Sequence, residues 1–409
     1  MPALIDLDRD KVLDVDLGSS EFKQNARRHL AEWAQRPPFY VLGNGPPQVV
    51  CGRYADVHQV FTDTETFKSE MPRGPGFEQF DKFMGVQFVT QMDGEQHLRV
   101  RRLLMPAFST RRLAQIETRI AAVIEDMLDK IEAKGPEFDA MNDYGAQLVV
   151  GALLQAIVGL DERRKAVFLE FHDVLPLTTY TKPGQPFAPE CQRAFENAAA
   201  LVKELIEERR ANPGSDLFSD LILARDQGDK LNDKELFDQI FTLCGATLSA
   251  TSRSAGGALY TLYTHTGQLE QLINNPDLVP DAVDECLRIA NNGYFTFPRI
   301  ASRDTSIGGT RVMKDMVVRP SPQAANYDPE VFPDPLRFDI HRKPKRIMSF
   351  GAGPHHCIGS VLGRTTIIIA IRRLLARFPT ARLANASFIP YYTGAVGELR
   401  LQSLPMRIH

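Results

Sequence analysis

The sequence predicts a mainly α-helical fold with a smaller β region. Helical periodicity of apolar residues dominates from residue 95 to residue 290. After residue 296, short β-like segments stand among turns, and one last long helix follows at about 357–378. Because no linker or shift in composition divides the chain, we expect a single domain over residues 1–409.

The elements can be placed in order along the chain. The N-terminal part contains a helix and two short strands flanked by Gly and Pro, then a second helix, at 21–36, 38–42, 47–51 and 55–61. The helical part consists of segments with apolar residues at helical spacing, at 95–105, 111–134, 140–159, 162–172, 191–211, 215–225, 233–265 and 278–290. The segment 233–265 is long and nearly uncharged, which predicts a helix through the core. The β region follows at 299–302, 306–308 and 317–319.

Composition excludes several classes of protein. The chain has 48 basic and 51 acidic residues, a net charge of −3 that argues against a general nucleic-acid binder. Its five cysteines are odd in number and show no close metal or redox spacing, so we expect a reducing compartment and mostly buried thiols. The N-terminus lacks an apolar signal run, and no segment approaches the roughly 20 apolar residues of a membrane span. We therefore expect a soluble, cytoplasmic protein.

The most informative stretch is Phe-Gly-Ala-Gly-Pro-His-His-Cys-Ile-Gly at 350–359. Gly351 and Gly353 let the backbone turn tightly and approach a flat ligand. Cys357 stands just before an apolar helix, where the dipole and free N–H groups of the helix terminus lower the pKa of a thiol. Phe350 can shield the sulfur from water. The stretch therefore predicts a stabilised thiolate with space beside it.

This stretch resembles the haem-binding loop of the cytochromes P450, Phe-Gly-x-Gly-x-His-x-Cys-x-Gly, with every fixed position present, from Phe350 and Gly351 to Cys357 and Gly359. The resemblance extends from about residue 20 to the end and implies the cytochrome P450 fold. It implies haem b, iron protoporphyrin IX, as cofactor and Cys357 as the thiolate ligand of the iron, which favours cleavage of the O–O bond.

Further motifs follow in the order of the family. Glu285 and Arg288, at i and i+3, resemble its Glu-x-x-Arg pair, and Arg337 stands where the family supplies a third partner. The resemblance implies that these three hold the segment before the cysteine loop.

A second pair of residues resembles the His-x-x-x-Arg of the family's C-helix. His97 and Arg101 lie one helical turn apart and can both donate to a carboxylate. The implied acceptors are the haem propionates, with Arg299 and His355 as the other donors.

The central helix departs from the family, which usually has Asp or Glu followed by Thr after an Ala-Gly pair. Matching Cys244-Gly245 to Ala-Gly puts Thr247 at the acid and Leu248 at the alcohol. Counting back without gaps from Glu285 puts Ser249 at the acid and Ala250 at the alcohol, the alignment we favour. Neither alignment recovers the acid, and Thr247, Ser249 and Thr251 are neutral hydroxyls that orient water but are poor general acids.

Three mechanisms stay open. A substrate hydroxyl or an ordered water could complete the proton relay of a monooxygenase. Hydrogen peroxide could be the oxidant, which bypasses the proton steps. The oxidation could also be an atypical one.

The pocket and the partners follow from placement within the family. Mostly apolar positions predict a small apolar substrate, aromatic or terpenoid-like, bound near Phe83, Phe88, Tyr180, Leu248, Phe295, Phe297 and Val396. No cationic residue is clearly placed to hold a substrate carboxylate. A basic run at 341–346, together with Arg101, Arg102, Arg111, Arg112 and Arg364, would suit an acidic electron donor. The resemblance implies a ferredoxin with its reductase, and we expect a monomer without nucleic-acid or membrane partners.

Two rival classes remain for the whole chain. One is a haem protein that binds a ligand without turnover, which the missing acid and alcohol would favour. The other is a helical scaffold without a cofactor, which would make the cysteine loop accidental.

Overall fold

The structure is a computed structural model of the 409-residue chain. It describes residues 7–42, 47–69, 86–148, 151, 154–155, 158–174, 185–224, 228–290, 293–394 and 396–409, with the backbone alone at 245–249. Its main α-helices within these ranges are α1 (Ser20–Gln24), α2 (Ala26–Trp33), α3 (Tyr54–Thr62), α4 (Gly94–Leu104), α5 (Thr110–Lys134), α6 (Glu162–Val174), α7 (Pro189–Ala211), α8 (Leu217–Leu223), α9 (Asp233–Thr264), α10 (Thr266–Asn274), α11 (Val279–Ile289), α12 (Pro322–Ala325) and α13 (Ser360–Arg377).

The strands are short. In chain order they are β1 (Val12–Leu13), β2 (Phe39–Val41), β3 (Gln48–Cys51), β4 (Phe67–Lys68), β5 (Glu137–Asp139), β6 (Arg299–Ala301), β7 (Thr305–Ile307), β8 (Thr310–Val312), β9 (Val317–Pro320), β10 (Arg382–Leu383), β11 (Tyr392–Thr393), β12 (Arg400–Leu401) and β13 (Pro405–Arg407). The mainly α-helical fold with a smaller β region is therefore confirmed.

The chain divides into two compact units. The first consists of Met1–Met71, Arg253–Ser360 and Pro379–His409, and the second of Pro72–Ser252 and Val361–Phe378. Helix α9 begins in the second unit and ends in the first.

A six-stranded sheet organises the first unit, in the order β1-β2-β3-β9-β6-β4. The β3–β9 pair is parallel, and β6 runs antiparallel to both β9 and β4. One face is apolar and packs against α3, because Val49, Cys51 and Val318 belong to one buried cluster with Val60 and Phe61. This packing fixes β6, the strand that begins with Arg299.

The long helix α5 organises the second unit. Its buried side chains recur every three or four residues and form one apolar stripe, at Leu113, Ile116, Ile120, Ile124, Leu128 and Ile131. Ser109 caps its N-terminus by accepting from Arg112 N at 3.4 Å, and Gly135 ends it with φ +119°. Ion pairs from Arg373 to Glu125 (2.8 Å) and from Arg377 to Asp129 (2.6 Å) join α13 to α5.

Three elements differ from the prediction. The helix expected at 21–36 is two helices separated at Asn25, where φ is −101° and ψ is 10°. The segment expected as a helix at 140–159 begins as a π-helix, Ala140–Gly145, which Asp139 caps. Helix α10 was not predicted, since its nine residues directly follow the much longer α9. Among the residues with a described structure, no helix combines the length and apolar character that crossing a bilayer requires.

Candidate active site

The cysteine loop is shaped by short backbone hydrogen bonds. Cys357 N donates to Phe350 O at 2.9 Å, which closes the loop, and His356 N donates to Gly353 O at 3.0 Å. Gly351 and Gly353 have φ of +70° and +67°, the left-handed region that glycine adopts without a steric penalty. Helix α13 begins at Ser360, so Cys357 lies in the turn that leads into this helix rather than within it.

Gly353 has a second reason to be glycine. A Cβ at this position would lie 2.5 Å from Phe61 O of α3, closer than atoms can approach. At Gly351 and Gly359, by contrast, a Cβ would meet no described atom within 4 Å. The loop is therefore packed against α3 on one side and has open space beside two of its glycines.

Cys357 differs from the other four cysteines. Its thiol is exposed, whereas Cys51, Cys191, Cys244 and Cys286 are buried. Burial raises the pKa of each of these four thiols above its ordinary value, which keeps them protonated and inert. Cys357 is thus the cysteine whose sulfur is accessible to a ligand.

Two predicted propionate donors lie in the same unit as Cys357. Arg299 begins β6, is buried, and places its guanidinium 5.9 Å from the ring centre of Phe61, the residue whose carbonyl contacts Gly353. His355 Nε2 lies 2.9 Å from Ser69 Oγ. These contacts attach both donors to the framework that holds the cysteine loop.

A buried ion pair lies on the segment before the loop. Arg288 Nε and Nη2 bind the two carboxylate oxygens of Glu285, each at 2.7 Å. Arg288 Nη1 also donates to the carbonyls of Asn326 and Pro335, at 2.9 and 2.7 Å. Glu285 therefore faces a bidentate arginine that in turn holds the chain leading to the cysteine loop.

The third side chain of this cluster is that of Arg342, and the prediction that Arg337 supplies it is wrong. Arg342 Nε donates to Glu285 Oε1 at 3.0 Å. The side chain of Arg337 is 61% exposed and pairs instead with Asp334 and Asp339, at 3.0 and 3.1 Å. Arg337 still contributes its carbonyl, which accepts from Arg288 and from Arg342. The two flanking carboxylates attract the Arg337 side chain into water, where a charge is better solvated.

The contact between Arg342 and Glu285 also removes one cation from the basic surface predicted at 341–346. The Arg342 guanidinium is only 11% exposed and belongs to the Glu285 cluster, so it does not form part of a basic surface. Lys343, Lys345 and Arg346 are exposed. In the second unit, Arg112 is largely buried and bound to Asp220 at 2.5 Å. Arg342 and Arg112 are thus neutralised by carboxylates.

The other predicted donors, His97 and Arg101, lie on α4 in the second unit. They are one helical turn apart, His97 buried and Arg101 half-buried. On α9, the backbone is helical through Thr247, Leu248 and Ser249, whose side chains lie outside the described residues.

The two following positions of α9 are described in full. Ala250 is exposed and Thr251 is half-buried. Thr251 Oγ1 would lie 3.9 Å from a Cβ at Gly363, so α13 passes close to this face of α9.

The predicted pocket residues of the first unit lie on two segments that are joined by backbone hydrogen bonds. Tyr294 N and Phe295 N both donate to Gly397 O, at 2.8 and 3.3 Å. Phe297 and Val396, next to this contact, are 51% and 44% exposed. In the second unit, Phe88 is half-buried. Phe83 and Tyr180 lie outside the described residues.

An ion pair that the sequence does not indicate joins helix α9 to Glu398, the residue after Gly397. Arg253 Nη1 of α9 donates to Glu398 Oε1 at 2.5 Å, and both side chains are partly buried. Nothing in the spacing of residues 253 and 398 predicts the contact, because they are far apart in the chain and each resembles a surface charge. The tertiary fold alone brings them together.

The loop fits a haem by the chemistry of its donors. An accessible thiol stands beside two glycines that leave open space for a flat group. A buried arginine and a histidine, the types of side chain that bind carboxylates, are attached to the same framework. Within the first unit, this set matches one thiolate ligand to iron with cationic partners for the propionates.

Comparison with known proteins agrees with this geometry. The sequence model of the family described as Cytochrome P450 matches residues 19–384. The mycinamicin IV hydroxylase/epoxidase of Micromonospora griseorubida is 32% identical over 353 residues, covering 85% of each chain.

Two solved structures share the fold. The cytochrome P450 PksS of the bacillaene polyketide synthase of Bacillus subtilis 168 is 26% identical, with a TM-score of 0.86 over 96% of this chain and 99% of that one. P450BioI, solved with an acyl carrier protein that carries hexadec-9Z-enoic acid, is 28% identical, with a TM-score of 0.84 over 95% and 100% of the two chains.

Fold, cysteine loop and relatives together define a haem-thiolate oxidoreductase. The chain belongs to the cytochrome P450 family, whose named relatives are hydroxylases and oxygenases, and it is a P450 monooxygenase.

Proposed function

We propose that this P450 binds haem b through Cys357 and inserts one oxygen atom of O₂ into a small apolar substrate. The observation that carries the proposal is the accessible thiol of Cys357 in a complete family loop. Cys357 would hold the haem through its thiolate, and the haem would supply the activation of dioxygen. We propose a ferredoxin with its reductase as the electron donor, because Lys345 and Arg346, exposed shortly before the cysteine loop, would suit an acidic partner.

The proposed roles of the residues follow from their placement. Arg299 and His355 hold the haem propionates, and the resemblance adds His97 and Arg101 to these donors. Phe350 and the glycines at 351 and 359 shape the loop around the sulfur. Glu285, Arg288 and Arg342 hold the segment that leads into the loop.

We also propose that the two units belong to one P450 domain over residues 1–409. The family match at 19–384 runs through segments of both units. A match confined to one unit would have supported two domains.

The substrate proposal rests on apolar pocket candidates. Phe295, Phe297 and Val396 have accessible apolar surface on adjoining segments, and Phe88 and Leu248 add to these candidates by placement in the family. A relative is named for mycinamicin IV, and another was solved with an acyl chain on a carrier protein. An apolar molecule, aromatic or terpenoid-like, suits such walls.

The test replaces the proposed iron ligand. Cys357→Ser should remove the red-shifted Soret band that thiolate-bound haem shows when reduced in carbon monoxide, because a serine oxygen does not replace a thiolate as ligand. Cys191→Ser is the matched control: the Cys191 thiol is buried and donates to Val174 O at 3.5 Å, a contact that a hydroxyl can keep. Retention of the band in Cys357→Ser would contradict the assignment of Cys357 as the iron ligand.

The central helix favours a second candidate, a peroxide-using P450. Ser249 and Ala250 replace the acid and the alcohol of the family in the alignment we favour, so proton delivery falls to Thr247, Ser249 or Thr251, or to water. We expect NADH with a ferredoxin system to support turnover of a substrate that shifts the haem spin state. If such substrates turn over only with hydrogen peroxide, the monooxygenase proposal is wrong and the second candidate replaces it.

A further inference from the structure

Arg319 of β9 is a half-buried cation with an open guanidinium. Its Nε donates to Gln48 Oε1 of the neighbouring strand β3. Among the described residues, Arg319 forms no ion pair with a carboxylate, and its Nη groups have no hydrogen-bond acceptor. A guanidinium carries five N–H donors in a rigid fork, so most of the donors of Arg319 are available to a ligand.

The surroundings of Arg319 are aromatic. Its guanidinium carbon lies 5.6 Å from the ring centre of Phe295. Phe295 in turn stacks on the buried Trp33, with ring centres 5.8 Å apart. Phe295 is also a candidate pocket residue, and Gly397 of the adjoining turn accepts from its N–H at 3.3 Å. The cation therefore stands beside the candidate substrate pocket of the first unit.

Arg319 is partly buried and partly accessible. Burial lowers the pKa of the Arg319 guanidinium below its ordinary value, although the group stays charged. The side chain nevertheless keeps part of its surface accessible. A partly desolvated guanidinium forms a stronger charge-assisted hydrogen bond with an anion than a fully solvated one does.

We infer that Arg319 binds a carboxylate on the substrate, so that the substrate is an apolar molecule with one acidic group. The single cation matches a monoanion, and a guanidinium pairs with a carboxylate through two parallel hydrogen bonds. The amide group of Gln48 can donate to the same anion. The aromatic neighbours would hold the apolar body. This inference rests on the proposed function and narrows its substrate class.

The experiment measures binding to the haem-loaded full chain by titration calorimetry. The probes are octanoate, dodecanoate, hexadecanoate and 4-phenylbutanoate, each paired with its primary alcohol. We expect the protein to bind at least one acid about tenfold or more tightly than the matched alcohol. High salt should reduce this preference, since it screens the charges.

The variants separate the charge of Arg319 from its shape. Arg319→Met should abolish the acid preference while the affinity for alcohols changes by about twofold or less, and Arg319→Lys should restore part of it. Arg311→Met is the matched control, because Arg311 of β8 is 60% exposed and pairs loosely with Asp304 at 3.7 Å. It should keep the full preference.

Two results would overturn the inference: no acid preference across the whole panel, or a preference that survives in Arg319→Met. The first would leave Arg319 as a cation that only packs on Phe295. The carbon monoxide spectrum of the same preparation tests the proposed function independently of the binding experiment. An acid preference without the thiolate band would contradict the haem assignment and leave the role of Arg319 standing.

Discussion

Among single residues, we expect the buried ion pair of Glu285 and Arg288 to be the most costly to break. Neither side chain exposes any surface, and each carboxylate oxygen of Glu285 accepts from Arg288 at 2.7 Å. Removing one partner of such a pair strands the other charge away from water. The carbonyls of Asn326 and Pro335 would also lose their donor.

We expect Arg288→Met to lower the free energy of unfolding by about 3–5 kcal/mol. Arg337→Met is the control and should cost less than about 1 kcal/mol, because its side chain is 61% exposed. Arg342→Met should fall between the two. Urea unfolding followed by circular dichroism measures all three. Equal effects of Arg288→Met and Arg337→Met would contradict the assignment of the cluster.

At the scale of elements, the turn between β11 and β12 is held at two points. Gly397, with φ +99°, presents its carbonyl to Tyr294 N at 2.8 Å, and Glu398 pairs with Arg253 of α9. Gly293 and Glu398 also form a β-bridge. The position of Val396 within the candidate pocket therefore depends on an ion pair that Val396 does not itself contact.

Glu398→Gln should loosen this turn. Loss of the charged acceptor leaves the partly buried Arg253 without its carboxylate, so we expect the amide of Tyr294 to exchange with deuterium about tenfold faster. Glu32→Gln is the control, since the ion pairs of Glu32 on α2 are exposed and long, at 3.8 and 3.9 Å. Unchanged exchange at Tyr294 in Glu398→Gln would show that the backbone contacts alone hold the turn.

At the scale of the whole molecule, the net charge of −3 gives no general attraction for an acidic partner. Attraction to the proposed ferredoxin would therefore come from local charge. Lys345 and Arg346 are exposed and directly precede the cysteine loop, whereas Arg342 is bound to Glu285. Exposed cations of this kind accelerate encounter with an acidic protein and act less at high salt.

We expect the double variant Lys345→Glu/Arg346→Glu to be reduced by a ferredoxin about tenfold more slowly at low ionic strength. Stopped-flow reduction under carbon monoxide measures this rate. The control variant Arg28→Glu/Arg311→Glu makes the same change in net charge at exposed positions on α2 and β8. If both variants slowed reduction equally, net charge rather than this location would be responsible.

The amino-acid sequence alone is sufficient to identify the family, and it predicts Cys357 as the haem ligand. Short-range patterns suffice for both: a ten-residue loop carries its own turns and sulfur at 350–359, and helical periodicity is a local property. Glu285 with Arg288, and His97 with Arg101, were equally readable, because residues three or four apart share one face of a helix.

Which distant charges meet follows from the tertiary fold. Arg342 rather than Arg337 completes the Glu285 cluster, and Arg253 pairs with Glu398. Arg319 lies beside Phe295, with no carboxylate partner among the residues that the structure describes. A charged side chain looks the same in a sequence whether it is solvated or buried. A buried charge without a partner is costly, so a buried charged side chain is paired. The partner is set by the packing of elements that lie far apart in the chain.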